Sequence, residues 1–270
     1  SISSRKESTK WLETYKKLYR SMLKKRIIPI VLLDGFSVLK TINFKQRRNL
    51  GSPITVMRTY NTRNVDEMII LDIDASKQGR PIDKFTIKEI SKDCFMPLTV
   101  GGGVRSCNDI ESLLKVGADK VAFNRAAIDD PSFITTAASS FGSQCVVVSV
   151  DVIKVGDKYR IYSGDNVLDN ITLPSWIKKV QDLGAGEILI NDVSRDGTMS
   201  GCDIELAISL CNLTDIPVIY AGGVSNPQNA VNLIEASGVD AVGMSSIFHF
   251  TDYTPEDFRR ELRANGIPSR

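Results

Sequence analysis

The chain has 270 residues, 42% hydrophobic and 24% charged, enough for a large core in one barrel-sized domain or two smaller ones. Its net charge of +2 is too small to imply a nucleic-acid partner, and no apolar run approaches the ~18 residues of a membrane span. A lone histidine, His249, and five cysteines without a C-x-x-C pair argue against a His-rich metal site, a Ser–His–Asp triad and a disulfide framework.

Residues 1–21 stand apart as a basic segment, with Trp11, Leu12, Tyr15, Leu18 and Tyr19 on one helical face. They read as an extension or an added segment ahead of Met22, which looks like a natural start. No apolar h-region marks a signal peptide, and a cytoplasmic location is expected. From Arg26 onward short apolar runs alternate with helical patterns. The first run, "IIPIVLL", ends in the turn pair Asp34-Gly35. "MIILDI", "PLTV", "KVAF", "VVVSVDV", "EILIND", "PVIYA" and "DAVGM" follow as further strands. Between them, "SCNDIESLLKVG" and "NPQNAVNLIEASG" each open on a capping residue and end at glycine, as helices do. Eight strands alternating with helices predict a (β/α)8 TIM barrel over residues 22–270; an open doubly wound sheet is the rival. His249, in "IFHF", is expected to be a packed, hydrogen-bonded structural residue.

An internal repeat favours the barrel. Pro97, Gly102, Gly103 and Val104 recur 120 residues later as Pro217, Gly222, Gly223 and Val224. "LDIDAS" and "INDVSRDG" fit the same shift, so two half-barrels of four βα units form one domain. In such a barrel the chemistry lies at the C-terminal ends of the strands. Gly102-Gly103 and Gly222-Gly223 fall there, and glycines let backbone N–H groups approach an anion at the start of the next helix. Asn124 and Arg125 after the fourth strand, and Ser245 and Ser246 after the eighth, add donors. The pattern predicts a substrate with a phosphate at each end; tight strand–helix packing is the plainer explanation of each glycine pair. Asp151 ends a long apolar run, where a carboxylate is costly without a task or a partner. The repeat sets it against Val31-Leu32, so the first strand carries an aliphatic where the fifth carries an acid.

The runs "KRIIP", "DEMIILDIDAS", "TVGGGVRS", "GADKVAFN", "FGSQCVVVSVD", "GAGEILINDVSRDGT", "AGGV" and "FHF" together resemble the cyclase subunit of imidazole glycerol phosphate synthase, the HisF family, from Met22 to the C-terminus. The resemblance implies a HisH-like glutaminase partner and ammonia passing through the barrel to a phosphorylated small-molecule substrate. No cofactor and no metal is implied. It also implies lysis and cyclisation by two aspartates, at the ends of strands 1 and 5. Asp151 matches the second, whereas the first falls on Leu32, and Asp34 is read as a turn residue. Two further departures are Asn191 in place of a family Thr and Ala221 in place of a family Ser. The phosphate-binding glycines, Asn124 and Asp196-Gly197-Thr198 are kept. Four charged residues that gate ammonia entry in the family fall on Arg26, Glu67, Lys120 and Glu187, each opening a predicted strand. Two positive and two negative charges there can pair, and a stability network is the plainer reading. Asp119 matches a family position that contacts the glutaminase. The expectation is a divergent relative that receives ammonia and amidates a surface-polysaccharide sugar. The alternatives are the authentic cyclase of histidine biosynthesis and a non-catalytic scaffold for the glutaminase.

Overall fold

The computed structural model describes residues 11, 12, 14–16, 18–63 and 65–270. All eight strands expected from the sequence form. They are β1 (Arg26–Leu33), β4 (Met68–Asp72), β5 (Leu98–Gly101), β6 (Lys120–Phe123), β7 (Val146–Val155), β10 (Glu187–Asp192), β11 (Val218–Ala221) and β12 (Ala241–Met244). Each pairs in parallel with the next, and β12 returns to β1 through Arg26–Ala241 and Ile28–Gly243, which closes the barrel.

Buried strands of this kind alternate between two apolar surroundings. In β1, Ile28, Ile30 and Leu32 point into the lumen with Ile69, Val147, Leu189, Ile219 and Ala241. Ile27, Val31 and Leu33 face outward into the shell between strands and helices, with Met68, Val148, Ile188 and Val242. The helices close that shell. Those at Cys107–Lys115 and Pro227–Ser237 start at Ser106 and Asn226, whose side chains accept from backbone N–H groups of the first turn.

Two hairpins rise beside the barrel that the apolar pattern did not predict. β2 (Val38–Ile42) and β3 (Gln46–Gly51) follow β1; β8 (Lys158–Ser163) and β9 (Asn166–Leu168) follow β7. β3 is polar and mostly exposed, so it shows no alternation to read. Val38 and Lys158 are 120 residues apart, so the half-barrel repeat includes the hairpins.

The described residues of 11–22 are helical, with Trp11, Leu12, Tyr15, Leu18 and Tyr19 exposed. Arg20 ties this segment to the barrel by donating to the carbonyls of Cys211 (2.6 Å) and Ile216 (2.8 Å). His249 packs edge-on against Tyr60, but its imidazole makes no hydrogen bond among the described residues. No helix among the described residues is long and apolar enough to cross a membrane.

Candidate functional site

A cavity of about 560 Å³ opens at the C-terminal ends of the barrel strands. Its floor is the last layer of lumen side chains. Asp151 of β7 stands level with Asn191 of β10, as Leu32 of β1 stands level with Leu71 of β4. Asn191 and Leu71 are 120 residues apart, so the residue equivalent to Asp151 in the other half is Leu32 rather than Val31. Asn191 Nδ2 donates to Asp151 Oδ1 at 2.7 Å and to Ser149 Oγ at 3.0 Å, and Asn124 Nδ2 donates to Asp151 Oδ2 at 3.1 Å. Burial pushes the Asp151 carboxyl up to about 6, and the charge of Asp196 adds to that; the two amide donors oppose it. Across the floor, Ile30, Leu32, Leu71 and Ala221 offer no polar side-chain group. Asp34 lies outside the cavity lining: it accepts from the Ser37 N–H through Oδ1 (3.0 Å), as the turn reading expected.

The two glycine pairs flank this floor. An added Cβ at Gly102 would lie 2.4 Å from the Asp72 carbonyl, and at Gly222 2.9 Å from the Asp192 carbonyl; both residues have positive φ. The halves therefore use the same close approach at the same place, and this accounts for the glycines by packing alone. The backbone N–H groups of Gly103, Val104, Gly223 and Val224 find no hydrogen-bond acceptor among the described residues, and all four residues line the cavity. Gly197, Asn124, Ser245 and Ser246 line it too. Ser246 Oγ and Asn124 Oδ1 are buried without a partner. The four unpaired N–H groups and the Ser246 hydroxyl are donors that suit an anionic ligand, whereas Asn124 Oδ1 is an acceptor.

Sequence reading passed over the groups that shape the mouth. Asp196 pins the first hairpin, accepting from Thr41 Oγ1 (2.6 Å) and from the Phe44 N–H (3.1 Å), and burial raises its carboxyl above the usual range. Arg47 of β3 pairs with Asp74, and Lys77 pairs with Asp165 in the β8–β9 turn at 2.7 Å. These pairs tie both hairpins to the loop after β4. The only sequence signal was Asp196-Gly197-Thr198 itself, whose acid was not singled out.

The opposite end of the lumen carries the charge ring. Arg26 Nη1 meets Glu67 at 3.0 Å and Arg26 Nη2 meets Glu187; Lys120 Nζ meets Glu67 at 3.3 Å and Glu187 at 3.2 Å. The four side chains, from β1, β6, β10 and the residue before β4, alternate in sign around a closed circuit. Burial works against the charge on Glu67, but Arg26 and Lys120 outweigh it and hold the carboxyl below its ordinary value. Asp119, beside Lys120, is exposed and accepts from the Leu98 N–H at 2.8 Å. Asp240 does the same for Val218 at 2.9 Å in the other half.

A closed (β/α)8 barrel of two matched halves, with its cavity at the C-terminal strand ends, places the chain among half-barrel-repeat TIM barrels. It belongs to the histidine biosynthesis protein family, whose model matches residues 26–254, and is a divergent HisF-like member. Over 249 residues, 92% of this chain and 99% of the relative, it is 45% identical to a Campylobacter jejuni protein described as "Putative imidazole glycerol phosphate synthase subunit hisF2".

Proposed function

We propose that this chain is the synthase subunit of a glutamine amidotransferase complex. A HisH-like glutaminase delivers ammonia at the charge ring. The ammonia crosses the lumen and meets a phosphate-bearing or sugar acceptor in the cavity, in the amidation of a surface-polysaccharide sugar. The observation that carries the reading is the alignment of ring, apolar lumen and cavity along one barrel. A lumen lined by Ile28, Ile30, Ile69, Val147, Leu189 and Ile219 suits a small neutral molecule and rejects the ammonium ion. The two glycine cradles suit an acceptor bearing phosphate, and Asp151 is the group assigned to proton transfer. The choice of a polysaccharide sugar rests on likeness to divergent family members rather than on a sugar contact.

The relative's name favours a second reading, cyclisation in histidine biosynthesis. That chemistry would need a replacement for the strand-1 acid, and Asp34 is engaged in its own turn. The test is copurification with the glutaminase, followed by an assay of glutamine-driven and ammonium-driven turnover on both classes of acceptor. Turnover of the histidine-pathway substrate at the rate of a two-aspartate cyclase would replace the first reading with the second. Acceptor turnover that survives Asp151→Asn would favour the scaffold.

A further inference from the structure

We propose that Asn191 is a positioning residue that holds Asp151 ionised and fixed in orientation, with Ser149 as the partner that sets the direction of the Asn191 amide. Asp151 makes no ion pair among the described residues. Its side-chain donors are two carboxamides, from Asn191 at 2.7 Å and Asn124 at 3.1 Å. A carboxamide stabilises a carboxylate without adding a formal charge, so the acid keeps a proton affinity that a neighbouring arginine would abolish.

Orientation comes from Ser149. Asn191 Nδ2 donates to both Ser149 Oγ and Asp151 Oδ1. Flipping the amide would lose both contacts and turn its oxygen toward a carboxylate, so the pair of acceptors selects one orientation. The other groups facing Asp151 cannot do this work. Tyr162 of β8 stands level with it, but its hydroxyl is engaged with Asp165, and Asp196, after β10, carries the same charge sign. Leu32 and Leu71, in the matching places of the other half, have no donors.

The consequence for turnover rests on the assignment of Asp151 to proton transfer made above, but the test needs no acceptor. The full chain is labelled with 13C at the Asp carboxyl carbons, the Asp151 signal is identified by its loss in Asp151→Asn, and its titration midpoint is read by NMR. Loss of one charge-assisted hydrogen bond in Asn191→Ala is expected to raise the midpoint by about one to two pH units. Ser149→Ala, which leaves Asn191 in place but frees its amide, should raise it by a smaller amount, and it decides the matter if Asn191→Ala does not fold. Midpoints within about 0.3 unit of wild type in the folded variants would overturn the proposal and leave Asn191 as packing. The assignment of Asp151 to proton transfer would survive that outcome, because it is tested separately by Asp151→Asn turnover.

Discussion

Lys120→Ala opens the charge ring at its most accessible member. In the wild type each carboxylate meets both cations, and the charges balance two against two. The variant leaves Glu67 and Glu187 facing Arg26 alone, with Arg270 at 4.0 Å from Glu67 as the only further cation in range among the described residues. Breaking a buried pair by removing one partner costs ~3–5 kcal/mol. The Lys120 side chain is 25% exposed, against 2% for Glu67, so water can reach the gap and the low end of that range applies, about 3 kcal/mol. At roughly 2–4 °C per kcal/mol for a domain of this size, the melting temperature should fall by about 6–12 °C. In the complex with the glutaminase, glutamine should still be hydrolysed, but fewer of the ammonia molecules released should reach the acceptor. Turnover driven by added ammonium salt should be nearly unchanged. The assay is the ratio of glutamine hydrolysed to acceptor aminated, measured beside the melt. A variant that folds, binds the glutaminase and keeps the wild-type ratio would refute the gating argument and reduce the ring to a structural clasp.

Asp151→Asn should stabilise the protein at pH 7–8 by about 1–3 kcal/mol and leave it nearly unchanged at pH 4. A carboxyl raised from 3.8 to about 6 by folding binds more protons folded than unfolded, so stability falls as pH rises through that interval; melts across pH 4–8 check it. Glu67 has the opposite sign: its depressed value contributes stability above about 4.5 that is lost as the pH falls, so Glu67→Gln should flatten the acid limb of the melting curve. Wild-type turnover of the histidine-pathway substrate with ammonium should fall short of a two-aspartate cyclase by ~10²–10⁴-fold, and Leu32→Asp should recover part of it, measured by product formation. Inorganic phosphate should raise the melting temperature in a saturable way and appear at both glycine cradles in crystals; empty cradles at high phosphate would count against the anion reading.

Much of the fold was legible because each barrel strand is buried on both faces and so appears as an unbroken apolar run, as in "RIIPIVLL". The ring residues were legible through the resemblance to the family, and their places at the starts of apolar runs agree with it. The hairpins were not, since β3 is a polar ribbon with Arg47, Arg48 and Asn49 exposed. Nor could the sequence pair Asp196 with Thr41, 155 residues apart, because only the closed hairpin brings them within 2.6 Å. Asn191 and Ala221 stood out only by contrast with the family, and the tie from Asn191 to Ser149 depends on neighbouring strands sharing a register.

The half-barrel repeat also supplies an internal control on which residues the fold alone requires. Asp119 and Asp240 each accept from the N–H that opens the preceding strand, so the architecture explains both acids. Gly102 and Gly222 meet the same backbone approach, and packing explains both glycines. At the floor of the cavity the correspondence breaks. The place of Asp151 is filled in the other half by Leu32, buried to 7% exposure beside Leu71. A leucine satisfies the architecture there, so the carboxylate on β7 is not a folding requirement. Its raised affinity for protons means that the charged form costs stability near neutral pH. Asn124, Asn191 and Ser149 are polar residues gathered around a charge that the barrel does not need for folding. That cost is what a site committed to one acid, rather than two, would retain.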